Sequence, residues 1–116
     1  MNNVIVAGGR DFSDYALLKK SLDNILSTLN DVCIISGGAR GADKLGERCA
    51  KENSYPLEVF EAEGDTYGKA AGYKRNERMA AHSRYCVVFW DSKSIGSGHM
   101  ITIAKRYGLK VRVVRY

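Results

Sequence analysis

Short runs of β-branched and aromatic residues alternate along this chain with longer stretches of helical period, and that alternation restricts the fold more than any other feature. Val4-Ile5-Val6-Ala7, Val32-Cys33-Ile34-Ile35, Leu57-Glu58-Val59-Phe60, Tyr85-Cys86-Val87-Val88-Phe89 and Val111-Arg112-Val113-Val114 predict five strands. Between the first two, Leu17, Leu18, Leu22, Ile25, Leu26 and Leu29 form one apolar stripe, with Ser13 as the expected N-cap and Asn30 near the end. Further helices are predicted near 41–53, 69–83 and 97–107, the last stopped at Gly108. Strands that alternate with helices of this length need right-handed crossovers, which make the sheet mainly parallel and bury both its faces. The expected fold class is therefore α/β: a Rossmann-like three-layer sandwich with a mainly parallel five-stranded sheet and about four helices. The segment 61–69 shows neither period and is expected to be a loop over the carboxyl edge of the sheet.

At 116 residues the chain is expected to form a single domain, 1–116, with one core and no linker. No apolar run approaches the roughly 20 residues of a membrane span, and Met1-Asn2-Asn3 leads straight into the first strand without a signal peptide's basic region. A soluble, cytoplasmic protein with no membrane partner is expected. Cys33, Cys49 and Cys86 lie inside apolar segments, away from metal-ligand or CxxC spacing, and read as reduced and buried. The net charge of +5 favours anionic partners without choosing between a nucleotide and a nucleic acid.

In open α/β sheets ligands bind beyond the carboxyl ends of the strands, where helix N-termini present free N–H groups. That edge is where the unusual residues gather. The first strand ends in Gly8-Gly9-Arg10-Asp11, the second in Ser36-Gly37-Gly38-Ala39-Arg40-Gly41-Ala42-Asp43, and the fourth leads to Ser94-Ile95-Gly96-Ser97-Gly98. Glycine admits positive φ and removes the Cβ that would hold a phosphate off the backbone, so each turn is a potential anion cradle. Tight strand-to-helix turns need glycine for their own geometry too, and a single such turn would decide nothing; three on one edge point to a site. Neither GxxxxGK[ST] nor GxGxxG is present, which argues against an ordinary P-loop enzyme or NAD dehydrogenase.

With Gly72, Met79 and Ala80 on the packed side of the 69–83 helix, Lys74, Arg78 and His82 form a solvated row, and Arg75 and Asn76 point at the glycine edge. Arginine grips phosphate with two N–H groups, and asparagine hydrogen-bonds a ribose hydroxyl or a base edge. The plainer alternative for Arg75 is a surface ion pair with Glu77 or Glu63. Asp11 and Asp43 would repel phosphate but suit helix capping or ribose hydroxyls, whereas Asp14 suits capping. Tyr67 and Trp90 are candidate walls for a stacked base, Trp90 equally a core residue that caps the sheet. His82 and His99 stand too far apart to suggest a metal pair, so no metal is expected, and no cofactor. Ser36, Ser94 and Ser97 lack an evident His and acid partner, which argues against a nucleophilic serine.

Gly8-Gly9-Arg10-Asp11-Phe12, Ser36 to Asp43, Gly68-Lys69-Ala70-Ala71-Gly72, Arg75-Asn76 with Met79-Ala80, and Phe89-Trp90-Asp91 before Ser94-Ile95-Gly96-Ser97 together resemble the YspA and YpsA-related branch of the SLOG superfamily. The resemblance covers nearly the whole chain. Gly64 stands where relatives often carry Trp, Tyr73-Lys74 where Pro-Ile is common, and Gly96-Ser97 where Gly-Thr is common. It implies binding of nucleotides or their derivatives at these turns, with Lys69 added to the ligand-binding set, and implies a homodimer or higher homo-oligomer.

The resemblance also covers hydrolases similar to the LOG enzymes, which cleave a base from its ribose phosphate with an Arg before the third-helix Met and a Glu after the Gly-Thr turn. Arg75 fills the first role; the second falls on Met100, or on Thr102 if Gly98 is the turn glycine, and neither is an acid or base. A hydrolase would have to use Asp43 or Asp91 instead. The turn 36–43 also looks like that of the DNA-processing protein A family, which holds single-stranded DNA, but one Trp and no evident second domain make nucleic acid the weaker option. The leading expectation is a module that senses or sequesters a nucleotide-derived signal of ADP-ribose, cyclic ADP-ribose or cyclic nucleotide type, with an N-glycosidic phosphoribohydrolase as the alternative.

Overall fold

The computed structural model describes residues 1–62, 64 and 68–116, with Lys69 by its backbone alone. In chain order the elements are β1 (Asn2–Gly8), α1 (Tyr15–Leu26), β2 (Val32–Ser36), α2 (Ala42–Glu52), β3 (Leu57–Val59), a 3-10 turn (Gly68–Ala70), α3 (Ala71–Ala81), β4 (Tyr85–Trp90), α4 (Ile95–Arg106) and β5 (Lys110–Arg115). The five strands form one sheet in the order β3-β2-β1-β4-β5. Every neighbouring pair is parallel.

Residues alternate across a strand, so β1 supplies two cores at once. Val4 and Val6 pack with Leu18, Leu22, Ile34 and Phe89 on the side of α1 and α2. Ile5 and Ala7 pack with Ile35, Met79, Val88 and Met100 on the side of α3 and α4. This is why the central strands read as continuous apolar runs rather than as an alternating pattern. The chain leaves β1 for β2 on one side and returns to β4 on the other, so the order reverses between β1 and β4. A crevice at the carboxyl ends of these two strands follows from the topology. Among the described residues no helix is long and apolar enough to cross a membrane.

Three local details differ from the sequence expectation. The N-cap of α1 is Asp14, in the capping role that suits it, with Oδ1 accepting the Leu17 N–H at 3.0 Å, and not Ser13. Helix α4 begins at Ile95 instead of 97, because the Ser94 hydroxyl caps it by accepting the Ser97 N–H. Arg78 is half-buried rather than part of a solvated row, its Nη2 donating to the Glu61 carbonyl at 2.6 Å. Of the expected 61–69 loop, residues 63 and 65–67 lie outside the described residues, and its end enters the 3-10 turn Gly68–Ala70.

The first two glycine turns are latched together. The Gly9 carbonyl accepts N–H bonds from Phe12 and Ala42, both at 3.2 Å. Gly41 holds φ at +81°, and a Cβ there would strike the Gly9 carbonyl oxygen and come within 2.6 Å of that of Arg10. Gly41→Ala combines left-handed strain with a backbone clash, so it is expected to cost about 2 kcal/mol or more in urea denaturation. Wild-type stability in that variant would refute the latch.

Candidate functional site

A cavity of about 450 Å³ opens at the predicted crevice, between the carboxyl ends of β1 and β4. Gly8, Gly9, Arg10 and Asp11 line it from the first turn, Asp43 from α2, Arg75 and Asn76 from α3, and Asp91, Ser94, Gly96 and Ser97 from the fourth-strand turn. Gly37, Gly38 and Arg40 line an adjoining cavity of about 430 Å³, which shares Arg10, Ala39 and Arg75 with the first. Both volumes fall within the roughly 300–1,000 Å³ of small-molecule sites.

Several amides of the turns are already engaged. Gly38 N–H donates to Ser36 Oγ at 3.1 Å, and Ala39 N–H to Asp43 Oδ2 at 3.2 Å. Lys93 and Ser94 N–H both donate to Asp91 Oδ1 at 2.8 Å. These bonds and the latch hold the turns by internal pairing, so side chains carry much of the site's ligand-facing polarity. Among the described residues the side-chain cations on the larger cavity are Arg10, Arg75 and Lys93, and the side-chain carboxylates are Asp11, Asp43 and Asp91.

Arg75 reaches over from α3 and donates from Nη1 to the Gly37 carbonyl at 3.1 Å. Its Nε is buried without a hydrogen-bond partner among the described residues. Among the described residues Arg75 makes no ion pair with Glu77, and Glu63, the other partner considered from sequence, lies outside them. Burial holds its guanidinium below the usual arginine range, against the opposing pull of Asp43. Asn76, only 5% exposed, meets His99 Nδ1 with its Nδ2 at 3.1 Å. Burial also holds the His99 pKa down, which suits a neutral ring accepting that N–H. Tyr73 packs on the same ring at 4.3 Å between centroids.

Asp43 is the most perturbed acid of the cavity. At 5% exposure, burial pushes its pKa up to about 6, opposed by the Ala39 N–H, by Arg75 and by the Gly8 N–H, and reinforced by the nearby Glu47. Asp91 goes the other way, held below the ordinary carboxylate range by the Ser94 and Lys93 amides.

Some expected site residues stand behind the site. Ser36 is fully buried, and its hydroxyl donates to Glu47 Oε2 at 2.7 Å, making it a strut between β2 and α2. Gly41 serves the latch. Trp90 lines neither cavity; its indole N–H donates to the Ser94 carbonyl at 3.0 Å and steadies the start of α4. Tyr67, Glu63 and the Lys69 side chain lie outside the described residues.

Ala7, Ala39, Met79, Lys93, Met100 and Tyr116 also line the larger cavity, though sequence reasoning did not assign them to the site. Met100, where a LOG-like hydrolase would carry its glutamate, is 1% exposed. Tyr116 packs on Phe12, with ring centroids 4.7 Å apart, and its hydroxyl occupies the space a Cβ on Gly9 would need. Nothing local in the sequence marks Tyr116; only the pairing of β5 with β4 carries it to this edge.

Fold and cleft together define a Rossmann-like α/β fold with a crevice at the point where strand order reverses. The YspA, cpYpsA-related SLOG family model matches residues 2–67, more than half of the chain, and the chain belongs to that family. It is 29% identical over 118 residues to the Gene 61 protein of Mycobacterium phage D29, an alignment covering 96% of this chain and 94% of that protein. Its fold is also that of DNA processing protein A from Streptococcus pneumoniae, with a TM-score of 0.69 at 21% identity. That match covers 97% of this chain and 49% of the other, so the chain spans about half the length of that structure.

Proposed function

We propose that the cleft binds a nucleotide-derived small molecule and that the protein senses or sequesters it. The observation that carries this reading is the convergence of Arg75 and Asn76 on the same cavity as the Gly8-Gly9 and Ser94–Ser97 turns. Phosphate suits the Arg10, Arg75 and Lys93 cations, and ribose hydroxyls suit carboxylates held in place, as Asp91 is by its own turn. Met100 in place of an acid favours holding over cleaving. Membership of a SLOG family supports a nucleotide-related ligand. Calorimetry against AMP, ADP and ADP-ribose is expected to give micromolar binding for at least one; silence across the panel would count against the proposal.

Asp43 favours a second reading, N-glycosidic phosphoribohydrolysis. A buried carboxyl with a pKa near 6 is suited to exchange a proton near neutral pH, and it shares the cavity with Arg75. Release of free base from a nucleoside monophosphate, lost in Asp43→Asn, would establish it over simple binding. The fold neighbour is a DNA processing protein, and single-stranded DNA is the third possibility. A single-stranded DNA track with six or more phosphate contacts would lose affinity about three-hundredfold or more between 50 and 200 mM salt. A pocket that contacts one or two phosphates is expected to respond far less.

A further inference from the structure

One histidine stands directly behind the wall of the cleft. Tyr73 and Asn76, three residues apart on α3, both reach across to His99 on α4. The Tyr73 ring packs on the imidazole, and Asn76 Nδ2 meets His99 Nδ1 at 3.1 Å. Asn76 lines the larger cavity and His99 does not, so the imidazole acts on a guest only through the amide in front of it.

A neutral imidazole carries its proton on one nitrogen and accepts at the other. Burial favours the neutral ring, against the pull of Glu77 and together with Arg106. With Nδ1 facing the amide nitrogen, the proton belongs on Nε2 and Nδ1 accepts. That bond fixes which way round the Asn76 amide stands. A carboxamide holds its oxygen and nitrogen on opposite branches, so committing Nδ2 to the ring turns Oδ1 away from it. Among the described residues no group donates to Oδ1, yet the oxygen is not sealed off from solvent. It opens on the cavity that Asn76 lines.

We propose that His99 is a positioning residue that sets the specificity of the cleft: it locks Asn76 as a hydrogen-bond acceptor, so the guest must present a donor, an O–H or N–H, at that point. The inference deepens the proposed function and rests on it. Without the ring the amide turns about its soft terminal torsion and offers its oxygen or its nitrogen alike, and the site no longer tells a donor from an acceptor.

The imidazole gives the first test, and it needs neither ligand nor variant fold. In a nitrogen–proton correlation spectrum of the free protein at pH 8, the His99 ring, told apart from His82 by its loss in His99→Gln, is expected as the Nε2–H tautomer. An Nδ1–H tautomer or an equal mixture would overturn the proposal. The second test titrates whichever of AMP, ADP and ADP-ribose binds best. His99→Leu is expected to lose about tenfold in affinity, whereas His99→Gln, whose side-chain oxygen still accepts from Asn76, stays within about threefold of wild type. Asn76→Ala is expected to lose at least as much as His99→Leu, and adding His99→Leu to it to cost nothing further, because the pair acts as a unit. Additive losses, or glutamine no better than leucine, would reduce His99 to packing and overturn the proposal while leaving a nucleotide site standing. If none of the three nucleotides binds, the nucleotide reading fails, and the specificity assigned to His99 fails with it.

Discussion

Arg75→Ala is expected to lower affinity for the nucleotide that binds best by about a hundredfold or more. The estimate comes from two charge-assisted hydrogen bonds of about 1.5–3 kcal/mol each, against 1.4 kcal/mol per tenfold change. Arg75 lines both cavities, is largely withdrawn from water and leaves Nε unsatisfied, so its contacts with an anion escape the screening that weakens a surface arginine. Arg75→Lys keeps the charge but loses the planar fork, and should recover only part of the loss. The Gly37 carbonyl also loses its donor in these variants, so thermal melts must accompany the titrations. Wild-type affinity in Arg75→Ala would remove the residue from the site altogether.

Asp43→Asn should change stability in a pH-dependent way. The carboxyl has an unfolded pKa of 3.8 and a folded value raised to about 6, so the folded state binds the proton more tightly. Its contribution to stability is therefore fully present below pH 4 and falls as pH rises through 6. At 1.36 kcal/mol per pKa unit the loss approaches about 3 kcal/mol by pH 8. Asparagine keeps an oxygen for the Ala39 N–H and never ionises. Relative to wild type, Asp43→Asn is expected to be neutral or slightly destabilised at pH 4 and more stable by about 1–3 kcal/mol at pH 8. Urea unfolding at pH 4, 6 and 8 reads this directly; a difference between the proteins that stays constant with pH would exclude a raised Asp43 pKa. A carboxyl that costs stability at neutral pH is a natural candidate for work on a ligand, since structure alone does not justify its charge.

The strands and the two-sided core were legible because a parallel sheet buried on both faces demands long apolar runs, and Val4 to Ala7 or Cys86 to Phe89 satisfy nothing else so well. Arg75 and Asn76 were legible from helical spacing, since facing the glycine edge needs only the right angle on α3. Ser36 was not. Its neighbours Gly37 and Gly38 line the smaller cavity, but its own hydroxyl is taken by Glu47, an acid on the inner side of a mostly polar helix. A buried position for Glu47 in the α2 stripe was the available signal. Trp90 stands off the cleft and Tyr116, of which the sequence said nothing, lines it, for a reason no local pattern encodes: the indole finds an acceptor at Ser94, while Tyr116 follows β5 to pack beside Phe12. The capping shift from Ser13 to Asp14 is of another kind, since adjacent residues with equal capping chemistry are separated only by the path of the chain.

The latch between the first two turns bears on kinetics. With the Gly9 carbonyl holding both Phe12 and Ala42, and with Asp91 and Asp43 holding amides of their own turns, the cleft is assembled before any guest arrives. Encounter then needs no loop to order itself, so capture should proceed near the upper range of association rates for a rigid host, and variants in the wall should differ mainly in residence time.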